Sequence, residues 1–593
     1  MAEVTRTFDI LERYKGHFIK EDVFVSKQDG IWKKYSTEDY INFSNWFSLG
    51  LLELGLRKGD KIASISTNQP EWNFIDVGMA QIGVIHVPIF PTIHRKEFEH
   101  ILVHSEAKLL FISDKPLFQK FASPATAISN LSGIYTFNQV DGARNWMEIV
   151  DAGRQKSLSG LNPLHEIKKS IKPADTAVLI YTSGTTGVSK GVLLSHQNLV
   201  TNFIAASEVF RLDPGYRYLS ILPLCHVGGR LGNYQTQYCG TSIYYAENMN
   251  ALAANMKEVR PEGFDAVPRI LEKILSVIIS KGQKLEGFRK NIFFWSIDLA
   301  LRYSDNTRNS FLYRLKLAVA DKLVFKKWRD AIGGRIRIVG CGGASLQPQV
   351  EKIFWAAGVK IINMYGLTET SPIITINHLD YPDVLLGSVG CMIPGVEVKI
   401  ADDGEILCKG PNVMPEYYKD RDATEHAFDP QGWFMTGDIG YFRDNKFLKV
   451  TDRKKEMFKL ANGKSIAPQL MENKLRESVY IDHAFVFGEG QKFVGAIIAP
   501  NFEPLKHWAS GQNIDVTDPE ALTKLPTIND FYREIVEKLN HEMLDYQRIK
   551  KFLLVHDEWS TNTGELSHTL KLKRKNLFTK YQNVISRIYG QII

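Results

Sequence analysis

The sequence predicts an α/β protein: a large N-terminal domain of mixed and parallel sheets covered by helices, a small β subdomain, and a smaller C-terminal domain. Three observations predict it. Helical and strand patterns alternate over the first 170 residues and again over 196–400, which implies parallel strands with helices packed on them. The segment from about 400 to 450 changes to short strands between Asp, Gly and Asn turns, as a small antiparallel sheet does. A charged run, Asp452-Arg-Lys-Lys-Glu456, then sets this large part off from about 140 further residues and is the candidate hinge.

The elements follow in order. Tyr40 to Leu54 is an amphipathic helix that ends near Gly55. Asp60-Lys-Ile-Ala-Ser-Ile-Ser66 reads as a strand and Phe74 to Ile82 as a helix. Val84-Ile-His-Val-Pro88 and Leu109-Leu-Phe-Ile-Ser113 are short apolar strands. Ala177-Val-Leu-Ile180 is a buried strand. A helix begins near Ser195, with Leu199, Val200, Phe203, Ile204 and Phe210 on one face. Ile336 to Cys341 and Val359 to Tyr365 read as buried strands, and Gly404 to Cys408 and Lys446 to Val450 as strands of the small β unit.

Composition excludes several classes. The 593 residues are 44% apolar and 23% charged, ordinary for a globular chain and far from disorder or collagen. Five scattered cysteines without CxxC spacing argue against a disulfide framework or a zinc site and for a reducing compartment. Without a signal-peptide core or an apolar run long enough to span a bilayer, the expectation is a cytoplasmic protein. The net charge of +7 sits in 281–330, where 12 Lys and Arg face 5 Asp and Glu. Aromatics interleave there: Phe293, Phe294, Trp295, Phe311, Tyr313, Phe325 and Trp328. Two readings stay open. One is a peripheral contact with an anionic inner membrane face; the other is a helical region with aromatics inward and charges in water. No nucleic-acid motif accompanies the charge, so no nucleic-acid partner is expected.

The strongest local signal is Tyr181-Thr-Ser-Gly-Thr-Thr-Gly-Val-Ser-Lys-Gly191, at the end of the buried strand. Its glycines let backbone N–H groups approach an anion. Thr182, Ser183, Thr185, Thr186 and Ser189 add hydroxyl donors, and Lys190 adds a mobile positive charge. That is what a triphosphate needs, although the spacing is not the common GxxxxGK[ST].

This loop resembles the signature of the adenylate-forming superfamily, which includes acyl-CoA synthetases. There it wraps the phosphates of ATP, which assigns Thr182, Ser183, Gly184, Thr185, Thr186, Gly187 and Lys190 to nucleotide binding, with Thr185 also near the metal and the reacting phosphate. Tyr365-Gly-Leu-Thr-Glu-Thr370 resembles the family's YGxTE segment. The resemblance stacks Tyr365 on adenine beside Gly366, bonds Thr368 to the α-phosphate and lets Glu369 hold Mg²⁺, a cation that takes hard oxygen ligands. Gly342-Gly-Ala344 resembles the adenine-side loop. Asp438, in Trp433-Phe-Met-Thr-Gly-Asp, and Arg453 correspond to the ribose contacts, and Lys455 to the hinge. In Leu566-Ser-His-Thr-Leu-Lys-Leu-Lys-Arg-Lys575 the family's catalytic lysine precedes an arginine by three positions, which selects Lys571 with Arg574 and leaves Lys573 as second candidate.

Two positions depart from the family pattern: His568 where proline is usual, and Glu416 where glycine is usual, with a local backbone change expected at Glu416. Asn68-Gln-Pro-Glu-Trp72, Arg260-Pro261 with Ala266-Val-Pro-Arg-Ile-Leu-Glu-Lys-Ile274, and the basic insertion resemble the long-chain fatty acid branch. Leu222-Pro-Leu-Cys-His226 resembles the mouth of the acyl site, where His226 sits beside the carboxylate or gates the thiol path.

The resemblance thus implies a ligase joining a fatty acid to CoA at the expense of ATP, with Mg²⁺, ATP and CoA required. It implies an N-terminal domain over 1–452, containing the insertion at 281–330 and a β subdomain at about 388–450, and a mobile α+β C-terminal domain over 453–593. A fatty acyl-AMP ligase without the CoA step and a non-catalytic lipid-binding homologue are the alternatives. A monomer and a homodimer are both left open.

Overall fold

A computed structural model of the chain describes residues 3–159, 163–182, 189–304, 310–514, 518–560, 563–567 and 571–590. Ser183, Gly184, Thr185, Thr186, Gly187 and His568 lie outside the described residues.

Among the described residues the strands form five sheets. The largest has nine strands. Its middle is parallel: Lys360–Gly366, Ile338–Cys341, Gly263–Ala266, Arg217–Ser220, Ser242–Tyr245 and Phe24–Gln28 lie side by side. Antiparallel strands close both margins, Ile31–Tyr35 at one and Ile373–Ile376 with Cys391–Met392 at the other. A seven-stranded sheet holds Lys61–Ile65, Ile85–Ile89, Leu109–Ile112 and Thr176–Thr182 among others. Leu109–Ile112 is buried at every position, as a strand covered on both faces must be.

The helices that cover these sheets start where the sequence says they should. Ser36 and Ser195 each accept a bond from the third following amide, capping Thr37–Glu53 and His196–Phe210. One element differs from the sequence reading, which ran from the hydroxyl-rich loop directly to the helix near Ser195. Lys190–Ser195 is a strand, antiparallel to Thr176–Thr182, with Thr182 opposite Lys190. The strands on either side of the loop are therefore antiparallel neighbours. The short run Lys-Gly-Val-Leu-Leu-Ser has no periodicity of its own to separate it from the helix that follows.

Four antiparallel strands, Glu397–Ile400, Glu405–Lys409, Phe434–Arg443 and Phe447–Arg453, make the small β unit. Beyond it, Ile481–Phe487, Val494–Pro500 and Ile549–Leu554 form a separate mixed sheet. Helices Pro468–Leu475, Phe502–Gly511 and Pro526–His541 share an apolar core with it. At the junction, Asp452 is fully buried and accepts bonds from the amides of Arg453 and Gln469, while Lys455 is exposed. Burial pushes the Asp452 carboxyl up to about 7.

The basic insertion divides its aromatics. Phe293 and Phe325 are buried in the second core of the large domain, and Trp328 packs on both. Phe288 and Phe311 stand 77% and 80% exposed. The aromatics of the insertion are thus divided between buried and solvent-exposed positions.

Candidate active site

Neighbouring parallel strands end on the same edge of the large sheet, and the segments that follow them carry the candidate residues. Gly342, Gly343 and Ala344 follow Ile338–Cys341, with Gly343 at φ +85°, a conformation that side chains resist. Tyr365 and Gly366 close Lys360–Gly366. A Cβ at Gly366 would stand 1.6 Å from the Pro372 carbonyl oxygen, so only glycine fits this turn.

Tyr365 donates its hydroxyl to Asp438 Oδ2 at 2.9 Å, and Arg453 Nε lies 3.1 Å from Asp438 Oδ1. Asp438 and Arg453 face each other across two strands of the small β unit, which fixes their pairing. Asp438 is only 4% exposed, so its charge depends on these partners. Burial and Asp438 push the Tyr365 phenol well above its ordinary value.

Glu369 lies in the short turn Thr368–Thr370, and Thr368 opens it. Tyr417 donates to Glu369 Oε1 at 2.8 Å, and the Lys190 ammonium sits 5.1 Å from the centre of the Tyr417 ring. Tyr417 therefore links the carboxylate to the foot of the hydroxyl-rich hairpin. The Tyr417 segment runs along Lys190–Ser195, with Leu193 N bonded to Glu416 O and Tyr418 N to Gly191 O. Glu416 is exposed and contributes its backbone to this pairing.

Among the described residues no group of three His, Cys, Asp or Glu side chains could hold a metal. Among the described residues Tyr417 is the one hydrogen-bond donor to the Glu369 side chain, and it engages Oε1. A single hard carboxylate oxygen suits a Mg²⁺ ion whose other ligands are phosphates and water.

His226 caps helix Val227–Tyr238, its Nδ1 accepting from Gly228 N at 3.0 Å. The turn before it is clamped by Asn68, which donates to Leu222 O at 2.7 Å and accepts from Leu224 N at 3.1 Å. The helix contains Gly228, Gly229 and Gly232, poor helix formers. Packing overrides propensity here: a Cβ on Gly229 would come within 2.3 Å of Pro223 O. Arg230 on the same helix is buried against Asp76 at 2.9 Å, with His86 and Tyr234 also bonded to that carboxylate and Trp72 under the guanidinium. Asp76 is held well below the usual carboxylate range by Arg230 and His86, against the opposing effect of its burial. Sequence reading noticed Asn68 and Trp72 only as a motif and missed Asp76, Arg230 and Tyr417. The one signal available for Arg230 was a charged residue on an otherwise uncharged, buried helix.

Lys571 reaches this cluster from the C-terminal part. Its backbone pairs with Ser567, and Leu566 bridges Leu572. Arg574 fixes the base of the turn, pairing with buried Glu472 at 2.7 Å. Burial, then the neighbouring Arg453, lower the Lys571 ammonium to about 8, while Asp438, Glu456 and Glu369 act in the opposite sense. Burial and then Lys571 push His226 down to about 4. Lys571 thus shares one space with His226, Arg453, Asp438 and Glu369, whereas Lys573 stands at the start of helix Arg574–Lys580. Ion pairs Arg476–Glu272 and Arg269–Asp482 and the Gln347–Arg476 O bond join the two parts in this arrangement.

Comparison with known proteins agrees with this architecture. The AMP-binding enzyme model matches residues 17–418, and the model of the AMP-binding enzyme C-terminal domain matches 455–592. A long-chain-fatty-acid–CoA ligase, FadD15, of Mycobacterium bovis is 32% identical over 95% of this chain and 93% of its own length. Long chain acyl-CoA synthetase 7 of Arabidopsis thaliana, described as peroxisomal, is 30% identical over 92% of this chain and 80% of its own. Among solved structures, the adenylation domain of a carboxylate reductase from Mycobacterium chelonae superposes with a TM-score of 0.75 at 20% identity, covering 99% of this chain and 91% of that one. The anthranilate CoA ligase AuaEII with anthranoyl-AMP gives 0.73 at 18% identity over 99% of both chains. The chain belongs to the AMP-binding enzyme family, within its AMP-forming acyl-CoA synthetase branch.

Proposed function

We propose that the protein is a long-chain fatty acid–CoA ligase that converts ATP, a fatty acid and CoA into acyl-CoA, AMP and diphosphate through an acyl-adenylate. The observation that carries this reading is Lys571, delivered by the C-terminal domain onto the cluster of Tyr365, Glu369, Asp438 and Arg453. The names of the relatives support the fatty acid as substrate.

In the first half-reaction a fatty carboxylate oxygen attacks the α-phosphorus, and the bond to diphosphate breaks. Two anions must meet, so a cation fixed in advance stabilises the charge that builds. Lys571 is that cation. Tyr365 and the Gly342–Ala344 turn receive adenine, Asp438 and Arg453 receive the ribose hydroxyls, and Thr368 receives the α-phosphate. Thr182, Lys190 and the hydroxyl-rich sequence between them receive the β and γ phosphates. Mg²⁺ brought with ATP would be held by Glu369 and would offset phosphate charge. His226, neutral at pH 7, lies where it can stand beside the fatty carboxylate without adding charge. In the second half-reaction the C-terminal domain turns about Lys455, and Lys571 withdraws. The CoA thiolate attacks the acyl carbon and AMP leaves, a hinge motion between two arrangements of one chain. The ion pairs Arg476–Glu272 and Arg269–Asp482 must open for this turn. The test is a ladder of saturated fatty acids with Mg-ATP, with and without CoA. A best rung among long chains supports the reading, and a best rung among short acids contradicts it.

A second contact has its own observation. Phe311, Leu315, Val319 and Leu323 recur four residues apart and are each more than 40% exposed. Arg314, Lys316, Lys322, Lys326 and Lys327 flank them. This stripe is proposed to rest on an anionic lipid surface at the cytoplasmic face of a membrane. Among the described residues no helix is long and apolar enough to cross one. Binding to anionic vesicles should weaken as salt rises and fall further in Phe311→Ser with Leu315→Ser. Salt-independent binding, or none, contradicts the proposal.

A further inference from the structure

Lys571 sits on a pair of short antiparallel arms. Ser567 N donates to Lys571 O at 2.7 Å, and Lys571 N donates to Ser567 Oγ at 3.0 Å. Leu566 bridges Leu572, and Lys573 N donates to Glu565 O at 2.7 Å. So short a pair of strands does not hold its own shape in water. Yet it carries a cation into a place where burial and Arg453 both oppose the charge. On a loose backbone, a lysine stem would let the ammonium slip back to solvent. The arms must therefore be fixed by groups outside them.

The second arm runs straight into helix Arg574–Lys580, and Arg574 holds it on buried Glu472. Leu566 and Leu572 pack with Trp559, Leu577 and Tyr581, a contact without direction that seats the arms but does not stop them sliding. Glu565 supplies the hold on the first arm. Its side chain is 3% exposed, and Oε1 lies 2.8 Å from Nζ of Lys580, at the far end of that same helix. Oε2 accepts from the Thr563 hydroxyl. Burial alone would raise this carboxyl, but the bonds from Lys580 and Thr563 prevail and hold it down at about 2.

Lys580 is itself held. Asp557 Oδ2 lies 3.3 Å from its ammonium and also accepts from the Tyr581 hydroxyl at 2.9 Å, which in turn accepts from Trp559 Nε1 at 2.8 Å. Asn576, midway along the helix, donates to Gly564 O at 2.8 Å, next to Glu565. The chain thus returns at residue 580 to the point it left at 565, with Lys571 between. A buried carboxylate with its cation removed is strongly disfavoured, so this closure resists opening.

We infer that Glu565, clasped by Lys580, is a positioning residue for adenylation: it fixes the arms so that Lys571 stays among the nucleotide-binding groups instead of relaxing into water. This rests on the synthetase reading, with Lys571 as the cation of the first half-reaction, and adds the residues that keep it in place. Lys571 withdraws for the second half-reaction. The clasp therefore serves one half-reaction and not the other, a split that a purely structural ion pair would not produce.

The experiment measures both half-reactions in the full chain: diphosphate released from Mg-ATP and a long-chain fatty acid without CoA, and acyl-CoA formed from synthetic acyl-adenylate. Glu565→Gln keeps the size and removes the charge; Lys580→Met keeps the stem and removes the cation. Each should slow adenylation by roughly 10- to 100-fold, since misplacing a reacting group by about 1 Å can cost the upper figure. Transfer from the adenylate should stay near the wild-type rate, which also reports that the variant is folded. The double variant strands no buried charge and should be no slower in adenylation than Lys580→Met alone. Where one single variant does not fold, the other decides. Equal slowing of both half-reactions, or loss of the folded protein in both single variants, makes the pair structural and overturns the inference. Unchanged adenylation overturns it as well. So do losses that multiply in the double variant, because one clasp can be lost only once. A wild-type protein that releases no diphosphate removes the synthetase reading itself and the inference with it.

Discussion

Replacing Lys571 by alanine should slow acyl-adenylate formation by about 10²–10³-fold and leave acyl transfer from preformed adenylate to CoA nearly unchanged. The pocket shows why this cation is placed for the reaction. Burial and Arg453 lower the Lys571 ammonium from 10.5 to about 8 before any nucleotide arrives. At about 1.4 kcal/mol per pH unit, the pocket disfavours this cation by about 3 kcal/mol relative to water. That energy is invested in a charge already stripped of solvent and fixed in place by the Arg574–Glu472 pair behind it. The anionic phosphates supply the missing counter-charge, so the interaction is strongest where phosphate charge is greatest, in the transition state. Losing one such fixed donor costs about 2.7–4 kcal/mol in enzymes that stabilise an oxyanion, which sets the expected 10²–10³-fold loss. The assay separates the half-reactions: diphosphate released from ATP and fatty acid without CoA, and acyl-CoA formed from synthetic acyl-adenylate. Lys573→Ala serves as control and should behave as wild type. Equal loss of both half-reactions in Lys571→Ala, or the same defect in Lys573→Ala, would refute the assignment.

Other outcomes follow from the same geometry. Lys571 is cationic below its lowered value and neutral above it, so kcat/KM for adenylation should fall as pH rises through about 8. Lys571→Arg should remove that limb of the profile, whatever its rate. Asp438→Asn leaves Arg453 and Tyr365 without their shared acceptor charge and should raise KM for ATP by roughly 10-fold or more in initial-rate assays. Arg230→Ala strands buried Asp76 without its cation and should destabilise the fold by about 3–5 kcal/mol, read as a lower denaturant midpoint.

Much of the fold is local and so was legible. Capped, amphipathic or uniformly apolar segments announce themselves, and Thr37–Glu53 and Leu109–Ile112 fall within a few residues of their sequence bounds. The motif residues were also legible, because each motif is contiguous. Tyr365, Glu369, Asp438, Arg453 and Lys571, spread over more than two hundred positions, come together in one cluster. What stayed hidden depends on contacts between distant positions. Tyr417 gains meaning only beside Glu369 and Lys190, and Asn68 only against the turn 222–224. The strand Lys190–Ser195 was missed because a strand that short is defined by its hairpin partner.

The most direct test of the account is product analysis of the purified protein given Mg-ATP and long-chain fatty acids, with CoA present or withheld. The account predicts acyl-CoA, AMP and diphosphate in the complete mixture and acyl-adenylate with diphosphate when CoA is withheld. Acyl-adenylate with no acyl-CoA in the complete mixture would contradict the CoA step and indicate an acyl-AMP ligase, and absence of diphosphate from every tube would contradict adenylation itself.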